Sequence, residues 1–210
     1  MNSAEKEISY KSTNSYSTLN TLTEATKNVW LVCHGLGYLS RYFLRYFKDL
    51  NPTENYIIAA QAPSKYYQGK SFKHVGACWF TKENTTTEID NVCNYLQAVL
   101  ESEAIPEDKN IILFGYSQGV SVALRYLAKY KLKCKDIIIH SGGIPKELEP
   151  EYFKNLNTKV TLIYGTKDEY LIPERMEYES NRAKELFGAN LDIIPFNGTH
   201  EVNVTLIKSL

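Results

Sequence analysis

Residues 111–127, IILFGYSQGVSVALRYL, carry the strongest indication of the fold. Its apolar start, Ile111–Gly115, predicts a buried strand, and the apolar spacing of Val120–Tyr130 predicts a helix. The pentapeptide between them, Gly-Tyr-Ser-Gln-Gly, is typical of a tight strand-to-helix turn that exposes the Ser117 hydroxyl as a nucleophile. The helix start would also aim backbone N–H groups at that serine. The alternative is a plain tight turn, and distant residues must decide between the two readings.

Similar apolar runs alternate with helical segments along the rest of the chain. The further predicted strands are Asn28–His34, Tyr56–Ala60, Asp136–Ser141, Val160–Gly165 and Asp192–Phe196. The further predicted helices are Arg41–Leu50, Glu88–Glu101, Pro173–Phe187 and Val202–Leu210. Several strands are apolar on both faces, as in a parallel sheet covered on two sides. The pattern predicts an α/β fold with a mostly parallel central sheet and helices on both faces.

The N-terminal segment, residues 1–27, is polar and differs from the remainder. Ile8, Tyr10, Tyr16 and Thr18 would form an antiparallel edge hairpin around Ser12–Ser15, and a flexible tail is the alternative. Residues 28–210 read as one domain, because the sequence contains no repeat and no linker.

Composition limits the classes of partner. The chain is 43% hydrophobic and 23% charged, with a formal net charge of zero. Lys and Arg form no basic block of the kind that binds nucleic acid, so we expect a small-molecule partner. No apolar run reaches the length of a membrane helix, and the first residues lack an apolar export signal. We therefore expect a cytoplasmic protein, with monomer and homodimer both open.

The cysteines support that compartment. Four cysteines are widely spaced without a Cys-x-x-Cys pair, and most lie in or beside apolar runs. This pattern favours reduced, buried thiols over disulfides and predicts no metal site.

A catalytic serine needs a base, and the base needs an acid that orients it. In proteins with such a strand-to-helix turn at the catalytic serine, the order along the chain is serine, acid, histidine. Of the four histidines, only His200 follows both Ser117 and a suitable acid. Asp168 comes just after the strand VTLIYG, at the sheet edge where ligands bind, and Glu169 is the alternative. The non-catalytic reading makes Asp168 a turn residue and His200 an exposed loop residue.

A tetrahedral oxyanion also needs backbone donors. The residue after the serine, Gln118, would supply one N–H. The loop after the first parallel strand, in VWLVCHGLGYLS, would supply the second through Leu36. His34 in the same loop is expected to brace the backbone rather than to transfer protons.

Several motifs now occur together in one order. They are His34-Gly35-Leu36-Gly37, Ala77-Cys78-Trp79-Phe80, Gly115-Tyr116-Ser117-Gln118-Gly119, Ser141-Gly142-Gly143-Ile144-Pro145, Asp168 followed by Ile172-Pro173, and Gly198-Thr199-His200. From about Asn28 to the C-terminus the chain resembles the phospholipase/carboxylesterase family of α/β hydrolases, which includes the acyl-protein thioesterases. The resemblance implies cofactor-free, metal-free hydrolysis of carboxylic esters or thioesters by Ser117, Asp168 and His200.

The resemblance also implies a substrate-binding region. It places Trp79 and Phe80 near the acyl group. The loop Ser141–Pro145, with Gly143 and Ile144, would border the site, as would Ile172. Family thioesterases have a longer segment after the Trp-Phe pair than Thr81–Glu88, which predicts an open pocket for short or medium acyl groups. The alternatives are a non-catalytic ligand-binding protein of this fold, and an acyltransferase or lysophospholipase variant.

Overall fold

A seven-stranded sheet forms the centre of the computed structural model, which describes residues 3–154 and 156–210. The strands in chain order are β1 (Tyr16–Leu19), β2 (Asn28–Cys33), β3 (Asn55–Ala60), β4 (Ser64–Gln68), β5 (His74–Cys78), β6 (Asn110–Tyr116), β7 (Asp136–His140), β8 (Lys159–Gly165) and β9 (Leu191–Phe196). The central sheet has the order β1-β3-β2-β6-β7-β8-β9, and β4 pairs with β5 in a separate two-stranded ribbon.

The helices cover the sheet. They are α1 (Ser40–Phe43), α2 (Thr85–Glu103), α3 (Gln118–Tyr130), α4 (Pro173–Phe187) and α5 (Val204–Ser209). Short 3₁₀ turns occupy Leu44–Phe47, Pro150–Phe153 and Gly188–Asn190. Within the described residues, none of these helices combines the length and apolarity that crossing a bilayer requires.

Strand β2 explains why the sheet needs helices on both faces. Its alternate residues Val29 and Leu31 belong to the core on the side of α2, α3 and α4. Trp30 and Val32 belong to a second core that includes Phe47 and lies on the side of α1 and α5. Burying one such side chain stabilises the fold by about 1.5–3 kcal/mol, so both faces must be covered.

The parallel strands β3, β2, β6, β7, β8 and β9 all end at the same edge of the sheet. The register pairs Cys33 with Gly115, and Tyr116 with His140. Loops that follow β2, β6, β7, β8 and β9 therefore meet at one edge. The predicted α/β fold with a mostly parallel sheet and helices on both faces is confirmed.

The N-terminal edge differs in its pairing from the predicted hairpin. An antiparallel strand is present, but β1 pairs with β3, from Tyr16 opposite Ala60 to Leu19 opposite Ile57. Ile8 and Tyr10 are exposed and lie outside the strand. Strand β3 is buried along its whole length, and pairing with it gives β1 apolar neighbours that the polar residues before β1 do not provide.

Two further elements depart from the sequence prediction. The predicted helix Arg41–Leu50 is a single α-helical turn, α1, continued by a 3₁₀ turn. The ribbon of β4 and β5 was not predicted, because SKYYQ is exposed almost throughout and lacks the apolar alternation of a half-buried strand.

Candidate active site

Ser117 lies in a sharp turn between β6 and α3. Its backbone angles are φ 54° and ψ −120°, a conformation that costs a non-glycine residue about 1–3 kcal/mol. A Cβ on Gly115 would lie 2.6 Å from the Cα of Val120, and one on Gly119 would overlap the carbonyl oxygen of Cys33. The two glycines therefore allow α3 to start immediately against β6 and β2, which lifts Ser117 above the sheet edge.

Three side chains from separate loops meet at this edge. The Ser117 hydroxyl donates to Nε2 of His200 at 2.9 Å. Nδ1 of His200 donates to Oδ2 of Asp168 at 2.7 Å. Ser117 follows β6, Asp168 follows β8 and His200 follows β9, so their contact results from the strand order. The three residues predicted as a unit form one continuous chain of hydrogen bonds.

The environment of Asp168 fixes the direction of these bonds. Its side chain is completely buried. Oδ1 accepts the backbone N–H groups of Tyr170 at 2.8 Å and Leu171 at 3.0 Å. Because an ionised carboxylate only accepts hydrogen bonds, Nδ1 of His200 carries the proton and Nε2 is left as an acceptor.

The alternative acid, Glu169, has a different contact. Its Oε2 accepts the backbone N–H of His200 at 3.4 Å. Asp168, and not Glu169, hydrogen-bonds to the imidazole ring.

A cleft of about 500 Å³ opens beside the serine. Leu36, Gln118 and Gly143 line it, as do residues that sequence reasoning did not select. These are Ser121, Tyr170 and Leu171, which follow the recognised motifs, whereas Ser141 and Gly142 also line the cleft and belong to the loop that the resemblance placed there. For the first three, position next to predicted residues in sequence was the only indication of a role.

Four residues predicted for substrate binding lie elsewhere among the described residues. Trp79 and Ile144 are buried in the core, and Phe80 packs partly against it. Ile172 is half-exposed and follows Leu171, which does line the cleft. The lining of the cleft contains none of the four.

Trp79 instead contacts the loop that carries Leu36. Its indole N–H donates to the carbonyl of His34 at 2.7 Å. Its backbone N–H donates to Oε1 of Gln118 at 3.1 Å, and Nε2 of Gln118 donates to the carbonyl of Phe80 at 2.9 Å. The Trp-Phe pair thus ties the end of β2 to the start of α3.

The backbone N–H groups of Leu36 and Gln118 are free to bind a ligand. Within the described part of the chain, neither donates to a protein acceptor. The neighbouring Gly37 N–H is anchored on the carbonyl of Ala77 at 2.8 Å, which holds the Leu36 loop in place.

Two buried histidines support the site without facing the cleft. Nε2 of His34 accepts the Ala62 N–H at 3.2 Å, and its Nδ1 donates to the Gly35 carbonyl at 2.7 Å. Nε2 of His140 accepts the Asn203 N–H at 3.0 Å. Burial lowers the pKa of His34 to about 4 and that of His140 to about 3. Both rings are neutral braces of the loops around them.

Comparison with known proteins identifies the family. The model of the phospholipase/carboxylesterase family matches residues 15–210. No curated protein sequence matches the chain.

Solved structures share the fold. Acyl-protein thioesterase 2 of Zea mays is 17% identical with a TM-score of 0.70, over 93% of this chain and 95% of its own. Esterase PE8 is 23% identical with a TM-score of 0.69, over 93% and 96%. A phospholipase/carboxylesterase of Dyadobacter fermentans is 19% identical with a TM-score of 0.69, over 95% and 97%. The chain belongs to the phospholipase/carboxylesterase family of α/β hydrolases and is a hydrolase.

Proposed function

We propose that the chain hydrolyses carboxylic esters and thioesters through Ser117 as nucleophile, His200 as general base and Asp168 as the residue that orients His200. The hydrogen-bonded chain from the Ser117 hydroxyl through both ring nitrogens of His200 to Asp168 carries this proposal. A serine hydroxyl needs such a base because it is a weak nucleophile at its ordinary pKa.

In the first half-reaction, Ser117 Oγ bonds to the ester carbonyl carbon while His200 Nε2 takes the hydroxyl proton. Collapse of the tetrahedral intermediate breaks the bond to the alcohol or thiol, which leaves with the proton from Nε2. In the second half, a water gives its proton to Nε2 and attacks the acyl-enzyme. The carboxylic acid leaves, and Ser117 regains its proton.

The oxyanion of each intermediate would bind the N–H groups of Leu36 and Gln118. Two observations support this assignment: both residues line the cleft with Ser117, and neither N–H has a protein acceptor within the described residues. Removing one oxyanion donor costs on the order of 10²–10³ in kcat.

Two features of the cleft favour substrates with short or medium acyl groups. Only the segment from Thr81 to Asn84 separates Phe80 from α2, so no long cover follows the Trp-Phe pair. The cleft walls that Leu36, Tyr170 and Leu171 provide are apolar. We propose that an acyl chain lies along these walls with its far end in solvent.

A p-nitrophenyl ester series from acetate to palmitate tests the activity and the acyl length together. We expect kcat/KM to be highest between acetate and octanoate, and to fall in Ser117→Ala by on the order of 10³ or more. Ser121→Ala is the matched control, because it removes a hydroxyl from the same cleft without touching His200. Highest activity on palmitate would contradict the acyl-length proposal, and full activity in Ser117→Ala would contradict the mechanism.

We also propose a cytoplasmic location. All four cysteines are unpaired, and burial raises the pKa of Cys93 to about 11 and that of Cys134 to about 12, which keeps these thiols protonated. Homodimer formation stays a prediction, for which light scattering after size exclusion is the measurement.

A further inference from the structure

A second pocket lies beside the loop that carries Leu36. Its volume is about 340 Å³, and its lining includes four basic side chains. We call it the cationic pocket and define it by Arg41, Arg45, Lys73 and His74, with Gly37 and Gln68 in its wall. No carboxylate lines it, and among the described residues Arg41, Arg45 and Lys73 form no ion pair.

The sequence explains why carboxylates are missing there. The two segments that build the pocket, Ala25–Lys48 and Asn55–Lys82, contain no Asp or Glu, although the whole chain has equal numbers of acidic and basic residues. A neutral protein therefore concentrates uncompensated positive charge at one concave place. Such a place attracts anions more strongly than scattered surface charges do.

The cationic pocket and the cleft share a wall. Leu36 lines the cleft, and the next residue, Gly37, lines the cationic pocket. Consecutive Cα atoms are about 3.8 Å apart, so the two pockets lie on neighbouring residues of one loop. The wall is held firmly, because Gln68 Nε2 donates to the Gly37 carbonyl at 2.8 Å and Gly37 N–H donates to Ala77 at 2.8 Å.

We propose that the cationic pocket binds a phosphate monoester group carried by the ester that Ser117 hydrolyses. The proposal rests on the proposed function and adds a substrate class to it. Arg41, Arg45 and Lys73 offer more positive charge than one carboxylate neutralises, and a phosphate monoester is close to a dianion at pH 7. Guanidinium groups also match phosphate oxygens in pairs. The concave shape suits a small group better than a flat lipid surface.

The kinetic test compares the butyryl ester of glycerol 3-phosphate with the butyryl ester of glycerol, at low ionic strength. We expect kcat/KM for the phosphate ester to exceed that for the neutral ester at least tenfold. Arg41→Gln/Arg45→Gln should bring the ratio to within about twofold of unity. Lys133→Gln/Lys135→Gln, which removes two exposed charges at the opposite edge of the sheet, should keep the ratio. Because the ratio compares two esters on the same variant, a change in the folded fraction of that variant cancels.

The binding test does not need turnover. Calorimetry with Ser117→Ala should show glycerol 3-phosphate binding that Arg41→Gln/Arg45→Gln abolishes. If neither ester is hydrolysed while this binding is present, the site stands and the proposed function fails. If the neutral ester is hydrolysed without any preference for phosphate, the inference is overturned. Binding of inorganic phosphate without that preference would make the ligand free phosphate, and binding only to phosphatidylglycerol vesicles would make it a lipid surface; both results overturn the inference.

Discussion

The hydroxyl of Tyr116 donates a 2.9 Å hydrogen bond to the backbone carbonyl of His200. The residue before the proposed nucleophile therefore holds the loop that carries the proposed base. The ring of Tyr116 also lies 5.3 Å from that of His200, and burial raises the pKa of Tyr116 well above its ordinary value. The hydroxyl of Tyr116 therefore keeps its proton near neutral pH and can donate this hydrogen bond.

Tyr116→Phe tests this contact. We expect kcat on p-nitrophenyl butyrate to fall about tenfold with little change in KM, because a less firmly held His200 reaches the Ser117 proton less often. The free energy of unfolding should fall by about 1 kcal/mol. Tyr126→Phe is the control, since its hydroxyl donates to Gln97 at 2.8 Å away from the cleft. An equal fall in kcat in both variants would contradict a positioning role for Tyr116.

Gly119→Ala tests the close approach of α3 to β2. A Cβ at this position would overlap the carbonyl oxygen of Cys33, so α3 must move. We expect the free energy of unfolding, measured with urea, to fall by about 3 kcal/mol, and esterase activity to be lost. Gly69→Ala, where a Cβ meets no atom within 4 Å, should cost only about 1 kcal/mol and keep activity. Similar stability of the two variants would show that this turn is not tightly packed.

Glu179→Gln tests how the wall of the cleft is held. The buried carboxylate accepts the backbone N–H of Ile144 at 2.8 Å and Nε of Arg175 at 2.6 Å. The glutamine amide has one oxygen and cannot accept from both donors as the carboxylate does. We therefore expect the free energy of unfolding to fall by about 1–3 kcal/mol. KM should rise more than kcat falls, because Gly143 lines the cleft. Glu185→Gln on the same helix is half-exposed and should change stability by less than about 0.5 kcal/mol.

The buried histidines predict how stability depends on pH. Unfolded histidine has a pKa of about 6.5, whereas burial lowers the pKa of His34 to about 4 and that of His140 to about 3. Below pH 6.5 the unfolded chain binds protons that the folded chain does not, so the free energy of unfolding decreases as pH falls. At pH 5 each histidine should account for a loss of about 2 kcal/mol.

Urea unfolding at pH 7 and pH 5 measures this loss, and nitrogen-detected NMR of the histidine rings assigns it. The rings of His34 and His140 should remain neutral at pH 5.5. A titration midpoint near 6.5 for either ring in the folded protein would contradict the role of that ring as a neutral brace.

The parallel sheet could be predicted because its strands are apolar on both faces and cannot be stable unless helices cover them. Ser117, Asp168 and His200 each follow a predicted parallel strand, so their position at one sheet edge could be inferred without knowing how the side chains pack. Their mutual distances follow from strand order, which sequence alone does not provide. The position after β8 favours Asp168 but is shared by its neighbour Glu169, and the structure places the carboxylate of Asp168 on the ring.

Contacts that depend on packing could not be predicted. The aromatic pair Trp79 and Phe80 has the composition of a pocket lining, yet Trp79 is buried behind the loop of His34. The side chain of Gln118 links that pair to α3, a role that its motif does not reveal. The β4–β5 ribbon is stabilised by local pairing rather than by an apolar face, so periodicity does not detect it.

Labelling with a fluorophosphonate, followed by intact mass, tests the central proposal most directly, since the reagent bonds to a serine that a neighbouring base activates. We predict one adduct on the wild-type chain, none on Ser117→Ala, and labelling slowed by on the order of 10² or more in His200→Ala. Circular dichroism on the same samples checks that each variant is folded. A folded wild-type chain without an adduct, or an adduct that persists in Ser117→Ala, would contradict the assignment of Ser117 as the nucleophile.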